Sequence, residues 1–405
     1  MQRQPGKDRN LRVFAVTHFL SGLASSMMQA VWQPFVLSLG APMSTLGLLE
    51  SIGGAGGIVT AIIQPIGGWL SDRKGRKPFI VLGGVAGVLA VGFYVVAAAT
   101  KDWRWLLGGI VLMGMTLIAR PARDSLVAES ATANRRGMAF SALMAAWVAP
   151  GIFAPTLGGF IAERWGFTPV FVMRLVFDGL RVLFLVWFLR ETLRGTSEAV
   201  SRRELKGVMA RMFWPPAELR GLYWAMAIDV FAWGMGASLL FGMLSKTRGF
   251  TTVQLGIMAS LFSAVWALTQ MPIGRLVDRY GCKPFLVLSE GLGLLLLVGW
   301  LLDNSFVAFA ALHAYFGFTA ALWVPAQQAI IANSVPAQQR GEAMGRLAAF
   351  RGLIGFPAPY IGGLLFDRFG FSAPITANLI VGVFALLALI LLIKEPSNAE
   401  ATPAA

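Results

Sequence analysis

Charge is what this sequence has least of. Only 13% of its 405 residues are Asp, Glu, Lys or Arg, while 56% are apolar; a soluble globular chain carries roughly a quarter charged residues. So little polar surface cannot cover a water-facing body of this mass, which excludes a soluble enzyme, a nucleic-acid-binding module and a disordered chain. A single cysteine, Cys282, excludes an internal disulfide, and it forms no metal-ligand spacing with the two histidines. A phosphate-cradling Gly-x-x-x-x-Gly-Lys-Ser/Thr loop is missing, which disfavours a nucleotide-driven pump. The chain does not open on a short apolar region with a small-residue cleavage site, so its first long apolar run reads as a membrane span. What remains is an all-α membrane protein, not an enzyme, with no metal and no cofactor expected.

Long apolar runs are what is there. About 20 apolar residues cross a bilayer core of roughly 30 Å as a helix. On that measure twelve spans are expected, at about 11–38, 44–70, 78–99, 104–128, 137–162 and 168–190, then 219–245, 252–274, 284–302, 305–332, 341–366 and 371–393. The net charge of +14 sits in short clusters between them. With both termini in the cytoplasm, 24 of the 34 Lys and Arg fall inside and 6 outside, as the positive-inside rule requires. Arg120, Arg174, Arg181 and Arg351 lie within spans. The longest polar stretch divides the spans six and six. The expected organisation is therefore a bundle over 1–192, a basic amphipathic cytoplasmic linker over 193–219, a second bundle over 220–395 and a disordered tail over 396–405.

The two halves repeat. Shifting residues 64–82 by 206 matches 11 of 19 positions, and shifting 121–167 by 204 matches 18 of 47. The first match aligns Gly68, Asp72, Arg73, Gly75 and Lys77 with Gly274, Asp278, Arg279, Gly281 and Lys283; the second aligns Ala154-Pro155-x-x-Gly158-Gly159 with Ala358-Pro359-x-x-Gly362-Gly363. Two parallel six-helix copies are the architecture of a transporter that rocks about a midplane site.

The loop Gly68-x-Leu70-x-Asp72-Arg73-x-Gly75-Arg76-Lys77 resembles the first signature of the major facilitator superfamily, with a degenerate copy between spans eight and nine where that family has one. The resemblance covers essentially the whole chain and is closest in character to the multidrug and proton-antiporter members. It implies that Asp72 faces the N-terminal end of span eleven, Asp278 that of span five, and that Arg76 pairs with Glu129. A carboxylate at a helix N-terminus is worth roughly 0.3–1 kcal/mol, weak enough to break in every cycle, so Gly68, Asp72, Arg73, Gly75, Arg76, Glu129, Asp278, Arg279 and Gly281 are expected to gate. A plain positive-inside anchor is the competing reading, and it does not explain the recurring aspartate. In span five, Gly151-x-x-x-Pro155-x-x-Gly158-Gly159 resembles the antiporter signature of exporters, with Ala154 in place of a glycine. Its near copy in span eleven leaves simple packing of small residues an equal reading.

Ionisable residues inside spans usually face a cavity or a partner, because a charge in the bilayer core costs at least about 2.5–3.5 kcal/mol. Asp229 and Arg351 each lie about ten residues from the cytoplasmic start of their spans, roughly 14–16 Å deep, and neither recurs in the other half. They are expected to form the proton-coupling pair, with Asp178 and His18 as alternatives. Arg174 and Arg181 flank Asp178 on one helical face, which also suits a structural ion pair. The cavity is expected to use Met28, Gln29, Trp32 and Gln33 from span one, Arg120 from span four, Trp233 from span seven, and His313, Tyr315, Trp323 and Gln327 from span ten. Adaptable methionine and flat aromatic rings with a few amides suit an amphiphilic or aromatic solute. Glu50 and Glu290 are read as lying towards the ends of their helices. No cluster of basic residues is expected at the midplane unless Arg120 and Arg351 face each other.

The expected function is secondary active export of a hydrophobic or amphiphilic small molecule in exchange for protons. The alternatives are uptake or facilitated diffusion of a small metabolite, or movement of a lipid-like molecule. The expected setting is a bacterial inner membrane, as a monomer with small-molecule substrate, protons and membrane lipids as partners and no nucleic acid.

Overall fold

The computed structural model describes residues 5–54, 57–131, 136–191, 214–335 and 340–393. Most of the expected linker and the whole tail lie outside these residues. The described chain is helical, and several spans are built from two helices, some of which meet at Gly or Pro. Span one is α1 (Pro5–Gln29) with α2 (Trp32–Ser38), and span two is α3 (Met43–Gly53) with α4 (Ile58–Lys74). Span three is α5 (Arg76–Thr100); span four joins α6 (Trp105–Met115) to α7 (Ala119–Ser130) through a 3-10 turn at Thr116–Ile118. Span five joins α8 (Arg136–Val148) to α9 (Ala154–Trp165) through Ala149–Ile152, where Pro150 and Gly151 break the ladder, and span six is α10 (Phe167–Phe188). In the second half, span seven joins α11 (Arg220–Met235) to α12 (Leu240–Arg248). α13 (Thr252–Tyr280), α14 (Lys283–Leu302) and α15 (Phe306–Asn333) are spans eight to ten. Span eleven is α16 (Arg340–Gly355) with α17 (Ala358–Phe369), and span twelve is α18 (Ser372–Leu392).

Ten of these segments are long and apolar enough to cross a membrane. The other two of the expected twelve fail for visible reasons. α10 has the length but carries Arg174, Asp178 and Arg181, and span two is divided by the glycine-rich stretch between Gly53 and Gly57. The repeat holds at the level of backbone. Gly75 and Gly281 both turn between helices at positive φ, 94° and 88°, a conformation that costs a glycine little. Packing repeats as well: α1 lies on α10 as α11 lies on α18, and α5 on α6 as α14 on α15.

Two seams join the halves, α9 against α13 and α3 against α17. The repeated Ala-Pro-x-x-Gly-Gly motif makes both. A Cβ on Gly158 would overlap the Met27 carbonyl of α1, and one on Gly362 the Met235 carbonyl of α11. The next glycine in each copy reaches the other half: Gly159 meets the Thr252 carbonyl of α13, and Gly363 the Met43 carbonyl of α3. Gly256 and Gly47 return the contact, against the Pro155 and Pro359 carbonyls. Backbones this close gain dispersion contact that side chains would prevent. Packing thus accounts for both copies of the motif.

The core follows the seams. At the end holding residues 38–43 and 249–252, one cluster serves both halves, with Met27, Phe35 and Met43 beside Leu239, Met243 and Leu255. At the opposite end each half keeps its own core, one around Phe79, Leu126 and Leu185, the other around Val277, Leu286 and Leu389. The halves share one core at the joined end and keep separate cores at the other, divided end, with α4 against α16 a further contact between them.

Candidate functional site

Each half encloses a cavity between its own helices. The cavity of the second half measures about 520 Å³ and has mainly apolar walls, including Trp233, Phe316, Trp323 and Phe356. α11, α14, α15 and the α16–α17 break supply most of it, and α3 of the first half closes one side with Glu50 and Ser51. The Trp233 ring stacks on Phe316 at 5.3 Å, which fixes one flat wall.

Three carboxylates enter this apolar space: Glu50, Asp229 and Glu290. Asp229 meets Arg351 from α16, with Nη2 3.5 Å from Oδ2, and the two side chains are 7% and 22% exposed. Glu290 accepts from Trp233 Nε1 at 3.1 Å, and Glu50 accepts from Trp32 Nε1 at 2.9 Å. Glu290 also lies beside Asp229, and its Oε1 is buried with no donor among the described residues. Arg351 pairs with Asp229, while Glu290 and Glu50 are held by tryptophan N–H donors. Two adjacent carboxylates repel each other in such an apolar space.

The cavity of the first half is about 500 Å³ and has the opposite character. Arg120 and Arg123 reach it from α7, Arg174 and Arg181 from α10, against only Asp124 and Asp178. Basic residues do converge inside a half, contrary to the sequence expectation. They come from spans four and six, whose facing is set by packing that hydropathy does not report. Asp178 lies 3.5 Å from Arg174 and 3.4 Å from Arg181, so the expected triad forms. Arg181 also donates to Ser21 at 3.1 Å. The shared glycine crossings at Met27 and Met235 make Ser21 the counterpart of Asp229, which moves the correspondence three residues from His18. His18 lines this cavity with its Nδ1 2.7 Å from the Phe14 carbonyl.

Of the other expected cavity residues, Trp233 and Trp323 line the second cavity and Arg120 the first. Met28 is buried in the shared core, and Gln29 is exposed without lining either cavity. Trp32 reaches the site through Glu50. Gln33 ties the halves together, donating to the Ser238 carbonyl at 2.6 Å and accepting from the Gly242 amide at 2.7 Å. His313 is buried in a ring cluster with Phe241, Phe262 and Phe316. Tyr315 donates to the Leu292 carbonyl, and Gln327 points at the Met226 sulfur. From the sequence, Glu50 and Glu290 are expected in the external and cytoplasmic thirds of their helices, with no role in the cavity. The signal that finds them is the one that found Asp229, an acid inside an apolar run.

In the loop motif, Arg76 Nη2 lies 2.7 Å from Glu129 Oε1. The side chains of Asp72 and Arg73, and Gly68 with its packing, lie outside the described residues. Asp278 is exposed, and Arg279 lies over the Tyr280 ring at 5.3 Å.

The sequence model of the Major Facilitator Superfamily matches residues 14–246 and 222–405. The multidrug resistance protein MdtG of Klebsiella pneumoniae is 24% identical over 404 residues, 98% of this chain and 96% of its own. The multi-drug resistance efflux pump PmrA of Streptococcus pneumoniae is 24% identical, covering 93% and 94%. Among solved structures, a bacterial homologue of the human lysosomal transporter Spinster, in an inward-facing conformation, superposes with TM-score 0.73 at 17% identity, covering 96% of this chain and 98% of that one. The human organic anion transporter MFSD10 superposes with TM-score 0.65 at 19% identity, covering 96% and 100%. The chain belongs to the Major Facilitator Superfamily and is an integral membrane transporter, not an enzyme.

Proposed function

We propose that this transporter exports hydrophobic or amphiphilic small molecules in exchange for protons, by alternating access. The carrying observation is the cavity of the second half, where Asp229, paired with Arg351, lies beside Glu290 between aromatic walls that also hold Glu50. Such walls take an apolar solute by area alone, while the acid pair gives a proton somewhere to bind. Protonating Asp229 removes the charge that holds Arg351, so α11 and α16 are released from each other. The names of the MdtG and PmrA relatives, a resistance protein and an efflux pump, support export.

In this reading twelve spans form bundles over 1–192 and 220–395, as a monomer among the lipids of a bacterial inner membrane, with no nucleic-acid partner. The divided end faces the cytoplasm, because Lys74, Arg76, Lys77, Arg279 and Lys283 cluster there. Both termini lie on that side. The joined end closes the outer side, and the substrate enters from the cytoplasm or the inner leaflet. Asp72 and Asp278 gate the divided end.

The test is accumulation in proteoliposomes with an imposed proton gradient, using a lipophilic fluorescent dye as probe. Uptake should follow the gradient and collapse with a protonophore. Equal uptake without a gradient would leave facilitated diffusion.

A further inference from the structure

The cavity of the first half has more positive charge than its own acids satisfy. Its four arginines face two aspartates, and those two are committed: Asp178 to Arg174 and Arg181, and Asp124 to Arg123, 3.0 Å away. Arg120 has no acidic partner among the described residues, although it lies on the same wall as Arg123, one helical turn away. Arg181 Nε is buried with no hydrogen-bond partner among the described residues. Arg120 is exposed in the cavity, as a charge within a span must be when it has no partner. The rest of the wall mixes Thr17, His18, Ser21, Ser25 and Thr116 with apolar and aromatic side chains, including Phe140, Met144 and Trp147 on α8. The second cavity has the reverse balance, with three carboxylates on its walls and Arg351 behind Asp229 alone.

We infer that the first-half cavity is a separate binding site for an amphiphilic organic anion, a carboxylate, sulfonate or phosphonate with an aromatic or alkyl body. Arg120 and Arg123 take the head group, because a guanidinium matches planar and tetrahedral oxyanions with two parallel donors. Phe140, Met144 and Trp147 take the body. The Arg174–Asp178–Arg181 triad forms the floor and keeps the site net positive after Asp178 is spent. The same chemistry is offered by a phospholipid head group; the inference commits to a solute, because the acceptor is wanted at Arg120 within span four.

Binding tests this without any appeal to proton coupling, so its failure and the failure of the export reading are distinguishable. The purified full-length protein in phosphatidylcholine nanodiscs is titrated with 2-naphthalenesulfonate and with the isosteric cation 2-naphthyltrimethylammonium. Arg120→Gln should weaken the sulfonate about tenfold or more, as expected for losing a charge-assisted contact, and leave the cation within about twofold. Arg120→Lys should recover part of the loss, and Gly92→Ala, whose methyl meets no atom within 4 Å, should leave the sulfonate unchanged. Retained cation binding by Arg120→Gln shows that the variant is folded. Sulfonate affinity unaffected by Arg120→Gln, or lost equally in Gly92→Ala, overturns the site. Displacement of the sulfonate by phosphatidylglycerol added to the nanodiscs would give the site to lipid and overturn the assignment to a solute.

Discussion

Asp367 caps a helix that begins 324 residues earlier, accepting hydrogen bonds from the Met43 amide at 3.1 Å and the Ser44 amide at 2.8 Å. Glu163, its counterpart in the first half, accepts from the Val253 amide at 3.2 Å, near the start of α13. The first amides of a helix have no partner within it, and a carboxylate there also meets the positive end of the dipole. Each half thus completes a helix of the other at the joined end. The Gly159 and Gly363 crossings lie one turn away on the same helices, α9 and α17, so acid cap and close backbone contact form one seam, present twice.

Removing both acids should loosen that seam. Loss of a capping side chain costs roughly 0.5–2 kcal/mol, so Glu163→Ala with Asp367→Ala should lower the thermal midpoint of the purified protein. The same change should open the cavity from the joined end. With Cys282→Ser as background, a cysteine replacing Ser51 reports this through its rate of labelling by a membrane-impermeant thiol reagent. Unchanged labelling would mean that the caps stabilise the fold without contributing to closure.

The glycines give a comparison with an internal control. Gly159→Ala and Gly363→Ala each place a methyl into a carbonyl of the opposite half and should destabilise the protein and slow transport. Gly92→Ala adds the same methyl to α5 where no atom lies within 4 Å. Ala is favoured over Gly in a helix by up to about 1 kcal/mol, so that variant should be neutral or slightly stabilised. Equal effects from all three would remove the seam from the account.

Neutralising Asp72 should weaken transport while leaving substrate affinity in the resting state within a few-fold, since the residue lies in the turn region of the divided end. Equilibrium binding on purified Asp72→Asn protein decides the matter. A loss as large as that from a cavity variant would assign Asp72 to binding.

Much of this was readable in the sequence. Hydropathy and charge spacing are one-dimensional signals, so the spans, their kinship in two halves and the Asp229–Arg351 pairing could be argued without coordinates. Facing is different. Glu50 reaches the second-half cavity only because α3 crosses to α17, and the basic cavity exists because spans four and six turn Arg120, Arg123, Arg174 and Arg181 the same way. His313 and Tyr315 sit beside cavity residues in sequence, yet helical rotation gives the first to an aromatic core and the second to the Leu292 carbonyl. A strongly apolar helix such as α15 carries almost no amphipathic signal from which that rotation can be read.

The sharpest prediction concerns Asp229 and Arg351. Taking one partner from a buried ion pair leaves the other uncompensated, typically at a cost of about 3–5 kcal/mol. Arg351→Gln alone should therefore be the more damaging variant, because it leaves Asp229 without its cation and beside Glu290. Asp229→Asn resembles the protonated carboxyl in shape and charge. It should lose accumulation driven by a proton gradient but keep exchange of substrate across membranes at equal pH. Combining Asp229→Asn with Arg351→Gln should recover thermal stability relative to Arg351→Gln without restoring accumulation, since the pair is gone but no buried charge is stranded. Flux and melting measured on the same preparations separate the two roles. If Asp229→Asn still concentrates substrate using only a proton gradient, the pair is structural, and the proton is carried by Glu290, which keeps its Trp233 hydrogen bond in that variant.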